Sequence, residues 1–231
     1  MLIYSTFKSI QGEVNAWHQG RVAVFVRLPY CNLRCRYCDT MYAVEPDKSK
    51  LKEYTPEELF SFLNREYSPY EFVTITGGEP LLQADEVREF TKLLLKHSKR
   101  VVIETNGSFD FIDDIHNENV SWVFDYKLSG SGERDAMIND WFPKLTNNDF
   151  VKFVISVDSD FDEAVEVIDE IKRVNPDFEN FAISPAFDPK QESLMMGWLA
   201  EKVTQADYDG NLILNLQIHK LIWRDNDGSE H

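Results

Sequence analysis

Arg21–Thr40 reads RVAVFVRLPYCNLRCRYCDT: an apolar run rich in β-branched and aromatic residues ends at Leu28 and delivers Cys31, Cys35 and Cys38 onto one short loop. The run Val22–Leu28 has the near-continuous hydrophobicity of a strand buried on both faces. Similar runs recur at Phe72–Thr76, Val101–Glu104, Trp122–Tyr126, Val151–Ser156, Phe181–Ser184 and Leu212–Gln217. Helical periodicities lie between several of them, at Thr55–Glu66, Asp85–His97, Asp160–Val174 and Gln191–Val203. The first is the clearest, because Thr55 and Glu58 form a capping box with Pro56 at the first helical position. Parallel strands need crossover connections, so the pattern predicts an α/β fold with a mostly parallel sheet covered by helices. With about six strands, a partial, open βα barrel fits better than a closed eightfold one.

The same reading expects one domain over residues 1–231 with a cysteine loop at 31–38. Gly107–Ser121 holds little helical periodicity, so a crossover helix is expected to be missing or very short there, leaving a reduced set of helices. Glu45–Glu53 reads as a mobile loop, and Arg224–His231 (RDNDGSEH) as a frayed end with a disordered tail from Asp225.

The 231 residues carry 40 acidic against 24 basic side chains, a formal net charge of −16, with 43% hydrophobic content. That balance repels a phosphate backbone and argues against nucleic acid as a direct substrate. No window approaches the roughly 20 uninterrupted apolar residues of a membrane span, and the first residues lack the basic-then-apolar order of a secretion signal. A cytoplasmic location is the expectation. The chain has three cysteines, all in the one loop. A disulfide framework would use an even number spread over the fold, so an odd, clustered set points to metal or redox chemistry.

The spacing C-x3-C-x2-C places three thiolates where they hold three corners of a cubane iron–sulfur cluster and leave one iron without a protein ligand. The alternative is zinc closed by a distant histidine, for which His18, His97, His116 and His219 are available. A second signature, TITGGEP at Thr74–Pro80, follows the strand Phe72–Thr76. Its paired glycines let backbone approach a ligand closely, or else form an ordinary turn, and Glu79 adds a carboxylate. Other strand ends carry IETNGS at Ile103–Ser108, DYKLSG at Asp125–Gly130 and ISPAF at Ile183–Phe187. Ligands of α/β folds bind at the carboxyl ends of strands, so these segments are candidate site lining. Arg27 interrupts an apolar run, and a buried guanidinium needs an anion: either a ligand carboxylate or an internal partner such as Glu104 or Glu13. Lys127 is either lining or a solvated charge, Asn106 and Gly107 either lining or a plain turn, and His219 either a satisfied histidine or a substrate contact.

The cysteine spacing, its position after the first such strand and the GGEP element resemble the radical S-adenosylmethionine superfamily. In that superfamily the amino and carboxylate groups of S-adenosylmethionine chelate the open iron. FKSIQGEV at Phe7–Val14, then VFVRL, the cysteine loop, CDT, TGGEP, IETNGS, FVKFVIS and a terminal LQIHKLIW resemble, in this order, the 7-carboxy-7-deazaguanine synthases. Val14 stands where that family usually has Gly, and Asp125-Tyr126-Lys127 where Ser-Pro-Lys is commoner.

The resemblance implies contraction of 6-carboxy-5,6,7,8-tetrahydropterin to 7-carboxy-7-deazaguanine with loss of ammonia. It implies Cys31, Cys35 and Cys38 as 4Fe-4S ligands and S-adenosylmethionine as a regenerated cofactor. Magnesium would be held in part by Thr40, whose alternative role is a helix N-cap. By the same carry-over Ile10, Gln11 and Gly12 line the pterin, Arg27 faces its carboxylate and Thr76 hydrogen-bonds it. Tyr37, Cys38, Asp39, Gly78, Glu79, Asp125, Tyr126, Lys127, Ser184, Pro185, Ala186 and Phe187 map to S-adenosylmethionine contacts. An external electron donor of flavodoxin type and a homodimer are expected. The runner-up is a glycyl-radical activase, which shares the cysteine spacing and GGEP, and the non-enzymatic alternative is a cluster or zinc module.

Overall fold

Apolar strands that feed straight into polar loops place all the chemistry at one end of a sheet. The computed structural model describes residues 1–186, 192–205 and 212–223, so Phe187, the start of the helix expected from Gln191 and the tail from Arg224 lie outside the described residues. The chain runs β1 (Leu2–Ile3), β2 (Ser5–Ile10), β3 (Val22–Leu28), α1 (Met41–Val44), β4 (Lys52–Glu53), α2 (Pro56–Tyr67), β5 (Phe72–Gly77), α3 (Ala84–Lys96), β6 (Arg100–Thr105), β7 (Val120–Tyr126), β8 (Phe150–Ile155), α4 (Asp158–Val174), β9 (Phe181–Pro185), α5 (Glu192–Gln205), β10 (Leu212–Leu214) and α6 (Ile218–Ile222). The main sheet has eight strands in the order β10-β9-β8-β7-β6-β5-β3-β2. All neighbours from β3 to β10 are parallel, and β2 pairs antiparallel with β3. Successive strands along the chain sit side by side, which winds the sheet in one direction as in a βα barrel, while among the described residues its edges β2 and β10 do not pair. The fold is therefore the expected open, partial barrel.

It has more strands than expected. Ser5–Ile10 is an edge strand whose residues are half-buried or exposed along its whole length, so it carries no period-two signal. Glu45–Glu53 is ordered: Asp47 caps a 3-10 turn at Lys48–Lys50, and Lys52–Glu53 pairs with Leu2–Ile3. The crossover between β6 and β7 holds only a 3-10 turn at Asp113–Ile115, as expected. Between β7 and β8 there are likewise only short 3-10 turns. Aromatic side chains cover the sheet where those helices are missing. Trp141 is fully buried, stacks on Phe124 at 4.1 Å, meets Phe142 edge-on at 4.7 Å and donates Nε1–H to the Gly107 carbonyl at 3.2 Å.

Strand alternation divides the interior in two. Val24, Val26 and Leu28 of β3 face the helices, whereas Ala23 and Phe25 join Phe72 inside the barrel. The loop Gln11–Gly20 tucks under that interior, held by Gln11 N–H to Arg21 O and Gly20 N–H to Gln11 O, both 2.8 Å, and by Ala16 N–H to Ser121 Oγ at 3.1 Å. It delivers Val14 against Val102, Val123, Phe150 and Ala182, with Trp17 alongside. Val14 is thus part of an apolar floor, and the site lies above it.

Trp141→Ala removes the side chain that stands in for a helix, and is expected to cost about 3–5 kcal/mol in urea unfolding. A loss under about 1 kcal/mol would mean that the aromatic cover is dispensable.

Candidate active site

The cysteine loop is shaped by its neighbours before any ligand is considered. Tyr30 takes a left-handed conformation (φ 71°) and donates its N–H to Ala43 O at 2.8 Å. From the other side Gly78 N–H reaches Leu28 O at 3.0 Å and Glu79 N–H reaches Tyr30 O at 2.7 Å. A Cβ on Gly78 would sit 1.7 Å from the Tyr30 carbonyl oxygen, and Gly77 has φ +136° with an equally crowded position over Leu28. The glycine pair therefore permits close approach to the backbone of the cysteine loop, where the sequence had suggested approach to a ligand.

Glu79 completes that lock and does not line the cavity. It is fully buried, with Oε1 accepting from Leu81 N–H and Thr105 Oγ at 2.9 Å each and Oε2 accepting from Asn106 N–H at 2.8 Å. Burial pushes its carboxyl up to about 7 against those donors. Asn106 then donates Nδ2–H to Asn32 Oδ1 at 2.9 Å and lies 3.6 Å from Cys31 Sγ.

Cys31, Cys35 and Cys38 are free thiols and all three line one cavity of about 360 Å³ at the carboxyl ends of the strands. Burial raises the Cys31 thiol and pushes Cys35 up to about 11, so as thiolates they need a cation to compensate them. Among the described residues no three His, Cys, Asp or Glu side chains converge as ligands of a single ion would. Thiolates that bind different irons of one cluster need not converge, so the donor set fits a cluster better than zinc. Of the four histidines considered as a fourth zinc ligand, His97 stacks on Phe60, His116 pairs with Asp149 at 2.8 Å, and only His219 reaches this cavity.

The wall facing the cysteines is charged. Arg27 lies between the rings of Phe7 and Tyr42, at 5.5 and 5.7 Å. Thr76 donates its hydroxyl to Glu104 at 2.7 Å, and burial, then the nearby Glu13, pushes Glu104 up to about 7. Lys152 bridges Glu13 at 3.1 Å and Asp125 at 3.2 Å, and Lys127 meets Asp125 at 3.0 Å. Burial disfavours the charged form of both lysines, but Asp125 together with Cys35 and Asp39 at Lys127, and with Glu13 and Glu104 at Lys152, outweighs it and raises both above the ordinary lysine value. Tyr37 lines the cavity with Lys127 5.7 Å over its ring. Thr40 precedes α1 without its side chain capping it, lies 3.7 Å from Cys38 Sγ and also faces the cavity.

The segment after β10 closes the mouth. Gln217 and Asn215 donate to Glu13, Lys220 pairs with Asp39, and His219 packs so closely on Gly12 that a Cβ there would fall 1.9 Å from its Nδ1.

Of the residues singled out from sequence, Ile10, Gly12, Arg27, Asp39, Thr76, Gly78, Asp125, Lys127 and Pro185 share the cavity with the cysteines, Tyr37 and Thr40. Others do not reach it. Gln11 is buried with Nε2 3.5 Å from Thr74 Oγ. Tyr126 points to the aromatic core, Ser184 is buried against Asn215 at 2.7 Å, and Ala186 donates its N–H to Ile155 O. Glu13 and Lys152 were not singled out as lining, and Glu104 only within the segment IETNGS, yet the three form its charged wall. Lys152 was legible: it interrupts FVKFVI as Arg27 interrupts VAVFVRL.

The family model of the Radical SAM superfamily matches residues 25–187, from β3 to just past β9. The 7-carboxy-7-deazaguanine synthase of Clostridium acetobutylicum is 34% identical over 225 residues, 97% of this chain and 96% of that protein. That of Methanospirillum hungatei is 34% identical over 223 residues, 96% of this chain and 85% of its own length. A crystal structure of QueE from Escherichia coli shares the fold with TM-score 0.66 at 20% identity, covering 93% of each chain. A three-thiol loop locked at the mouth of an open βα barrel, with similarity running the length of the chain, places it in the radical SAM superfamily, whose members are implied to use a 4Fe-4S cluster and S-adenosylmethionine, and within it the chain belongs to the 7-carboxy-7-deazaguanine synthase family of lyases.

Proposed function

We propose that this chain converts 6-carboxy-5,6,7,8-tetrahydropterin to 7-carboxy-7-deazaguanine with loss of ammonia, as a step of 7-deazapurine biosynthesis. The observation that carries the reading is that one cavity is lined by all three cysteines, by Arg27 and by Thr40. When bound, a 4Fe-4S cluster with S-adenosylmethionine would supply one-electron chemistry that removes the hydrogen at C6 of the pterin and gives it back to the rearranged substrate, so that S-adenosylmethionine is regenerated.

The chain itself positions and shields. Cys31, Cys35 and Cys38 hold the cluster, and Asn106 beside Cys31 Sγ offers it an N–H donor. Arg27, stacked between two rings, presents a guanidinium to the substrate carboxylate. Thr76 and Glu104 offer a hydroxyl and a carboxyl to the polar edge of the pterin, with Ile10 and Gly12 beneath it and Gln11 supporting them. Tyr37, Asp39, Gly78, Asp125, Lys127 and Pro185 surround S-adenosylmethionine, with Tyr126, Ser184, Ala186 and Glu79 behind them. Thr40, whose hydroxyl faces the cavity beside Cys38 Sγ, would offer an oxygen ligand to Mg²⁺. We further propose a cytoplasmic homodimer reduced by an external flavodoxin-like donor, with neither nucleic acid nor membrane as partner. No helix among the described residues is long and apolar enough to cross a membrane.

The test is anaerobic incubation with carboxytetrahydropterin, S-adenosylmethionine, reductant and magnesium, followed by mass analysis. Formation of the carboxydeazaguanine is expected, and its absence from fully reconstituted protein would overturn the reading. Cys31→Ala, Cys35→Ala and Cys38→Ala are each expected to abolish cluster assembly and turnover, because the chain has no further cysteine to take over a corner. Iron analysis showing four irons and activity in any of them would contradict the assignment. Thr40→Ala is expected to weaken magnesium binding, raising the concentration needed for half-maximal turnover by about tenfold or more, with the cluster intact. Superimposable magnesium titrations of wild type and variant would place the metal elsewhere.

A further inference from the structure

Lys152 is the one charged residue of β8, a strand whose every residue is buried. Its ammonium, 6% exposed at the side chain, lies 3.1 Å from Glu13 Oε2 and 3.2 Å from Asp125 Oδ2. A buried ammonium is expensive unless its partners are well placed, and two carboxylates from opposite parts of the fold provide that. Glu13 belongs to the loop after the edge strand β2, and Asp125 lies near the end of β7 in the middle of the sheet.

Both carboxylates extend the connection. Glu13 accepts from Asn215 Nδ2 at 2.7 Å and from Gln217 Nε2, both in the segment that follows the other edge strand, β10. Asp125 is also paired with Lys127. The ammonium is therefore the point where the two open edges of the barrel and its central strands meet. Without it, Glu13, Glu104 and Asp125 would remain as three carboxyl groups lining one cavity with no cation bridging Glu13 to Asp125.

We propose that Lys152 is a positioning residue: by holding Glu13 and Asp125 together it keeps Ile10 and Gly12, which line the pterin, in register with Asp125 and Lys127, which meet S-adenosylmethionine, and so couples the binding of the two ligands. The inference rests on the functional reading above. It differs from a ligand contact because the two carboxylates, Glu13 and Asp125, take two of the three N–H donors and fix where the ammonium sits, and from a purely structural role because its loss must change how one ligand feels the other. A direct hydrogen bond to either ligand would affect that ligand alone.

The experiment compares wild type, Lys152→Met and Lys152→Arg, reconstituted anaerobically and matched for iron content. Two readouts are taken: kcat with the KM of each ligand, and the dissociation constant of S-adenosylmethionine with and without carboxytetrahydropterin, from the electron paramagnetic resonance of the reduced cluster. In wild type the pterin is expected to change that dissociation constant. In Lys152→Met the change is expected to vanish and kcat to fall by about 100-fold through misplacement, with the cluster unaltered. Lys152→Arg keeps the charge and is expected to restore part of both. If Lys152→Met does not assemble, Lys152→Met/Glu13→Gln, which strands no carboxylate on the loop, is expected to give the same loss of coupling.

A wild type whose S-adenosylmethionine affinity ignores the pterin overturns the inference. So does a methionine variant that retains the wild-type coupling. A wild type that forms no carboxydeazaguanine fails the functional reading instead, and the product measurement tells the two failures apart.

Discussion

The site depends on one backbone-to-backbone lock. Gly78 N–H to Leu28 O and Glu79 N–H to Tyr30 O pin the start of the cysteine loop against the end of the neighbouring parallel strand. The approach is so close that no side chain fits on Gly78. Glu79 then turns inward and ties this lock to the end of the next strand, through Thr105 and the Asn106 N–H. Three thiols on a flexible loop would not hold a cluster at a fixed place. The same thiols on a loop pinned from two adjacent strand ends and from Ala43 behind it have little freedom left to lose.

The barrel interior is layered along its axis. Low down, Val14, Val102, Val123, Phe150 and Ala182 fill it with apolar atoms, and one turn of alternation higher the same strands present Glu104, Asp125 and Lys152. The loop Gln11–Gly20 makes the layering possible, because it both plugs the floor with Val14 and contributes Glu13 to the charged layer. The segment after the last strand is fastened to that loop through Glu13 and Gln19, so side chains span the gap that strand pairing leaves open. Such a chamber offers charge partners from the ends of three neighbouring strands and from the loop beneath them.

Much of this was legible in the sequence because the strands are buried on both faces. Val22–Leu28 and Phe72–Thr76 announce themselves as apolar runs, and the cysteine spacing states its chemistry without any fold. The edge strand Ser5–Ile10 could not be read so, since it is neither buried nor alternating. Glu79 was placed in the right motif and facing the wrong way: a motif gives a residue its neighbourhood, and only packing decides that its carboxylate meets Thr105 and Asn106. The two departures from the family pattern have local accounts. Val14 fills the floor, and in Asp125-Tyr126 strand alternation sends the carboxylate into the cavity and the phenol ring out to Trp141 and Phe153.

The central claim is that the pinned loop leaves one iron of the cluster open toward the cavity. Electron–nuclear double resonance on the reduced, reconstituted protein with S-adenosylmethionine labelled at its amino nitrogen or carboxylate oxygen tests it directly. The account predicts a hyperfine coupling from the label to the cluster, since the amino and carboxylate groups would be the ligands of that iron. A cluster whose spectrum shows no coupling to either label, with the ligand demonstrably bound, would contradict it.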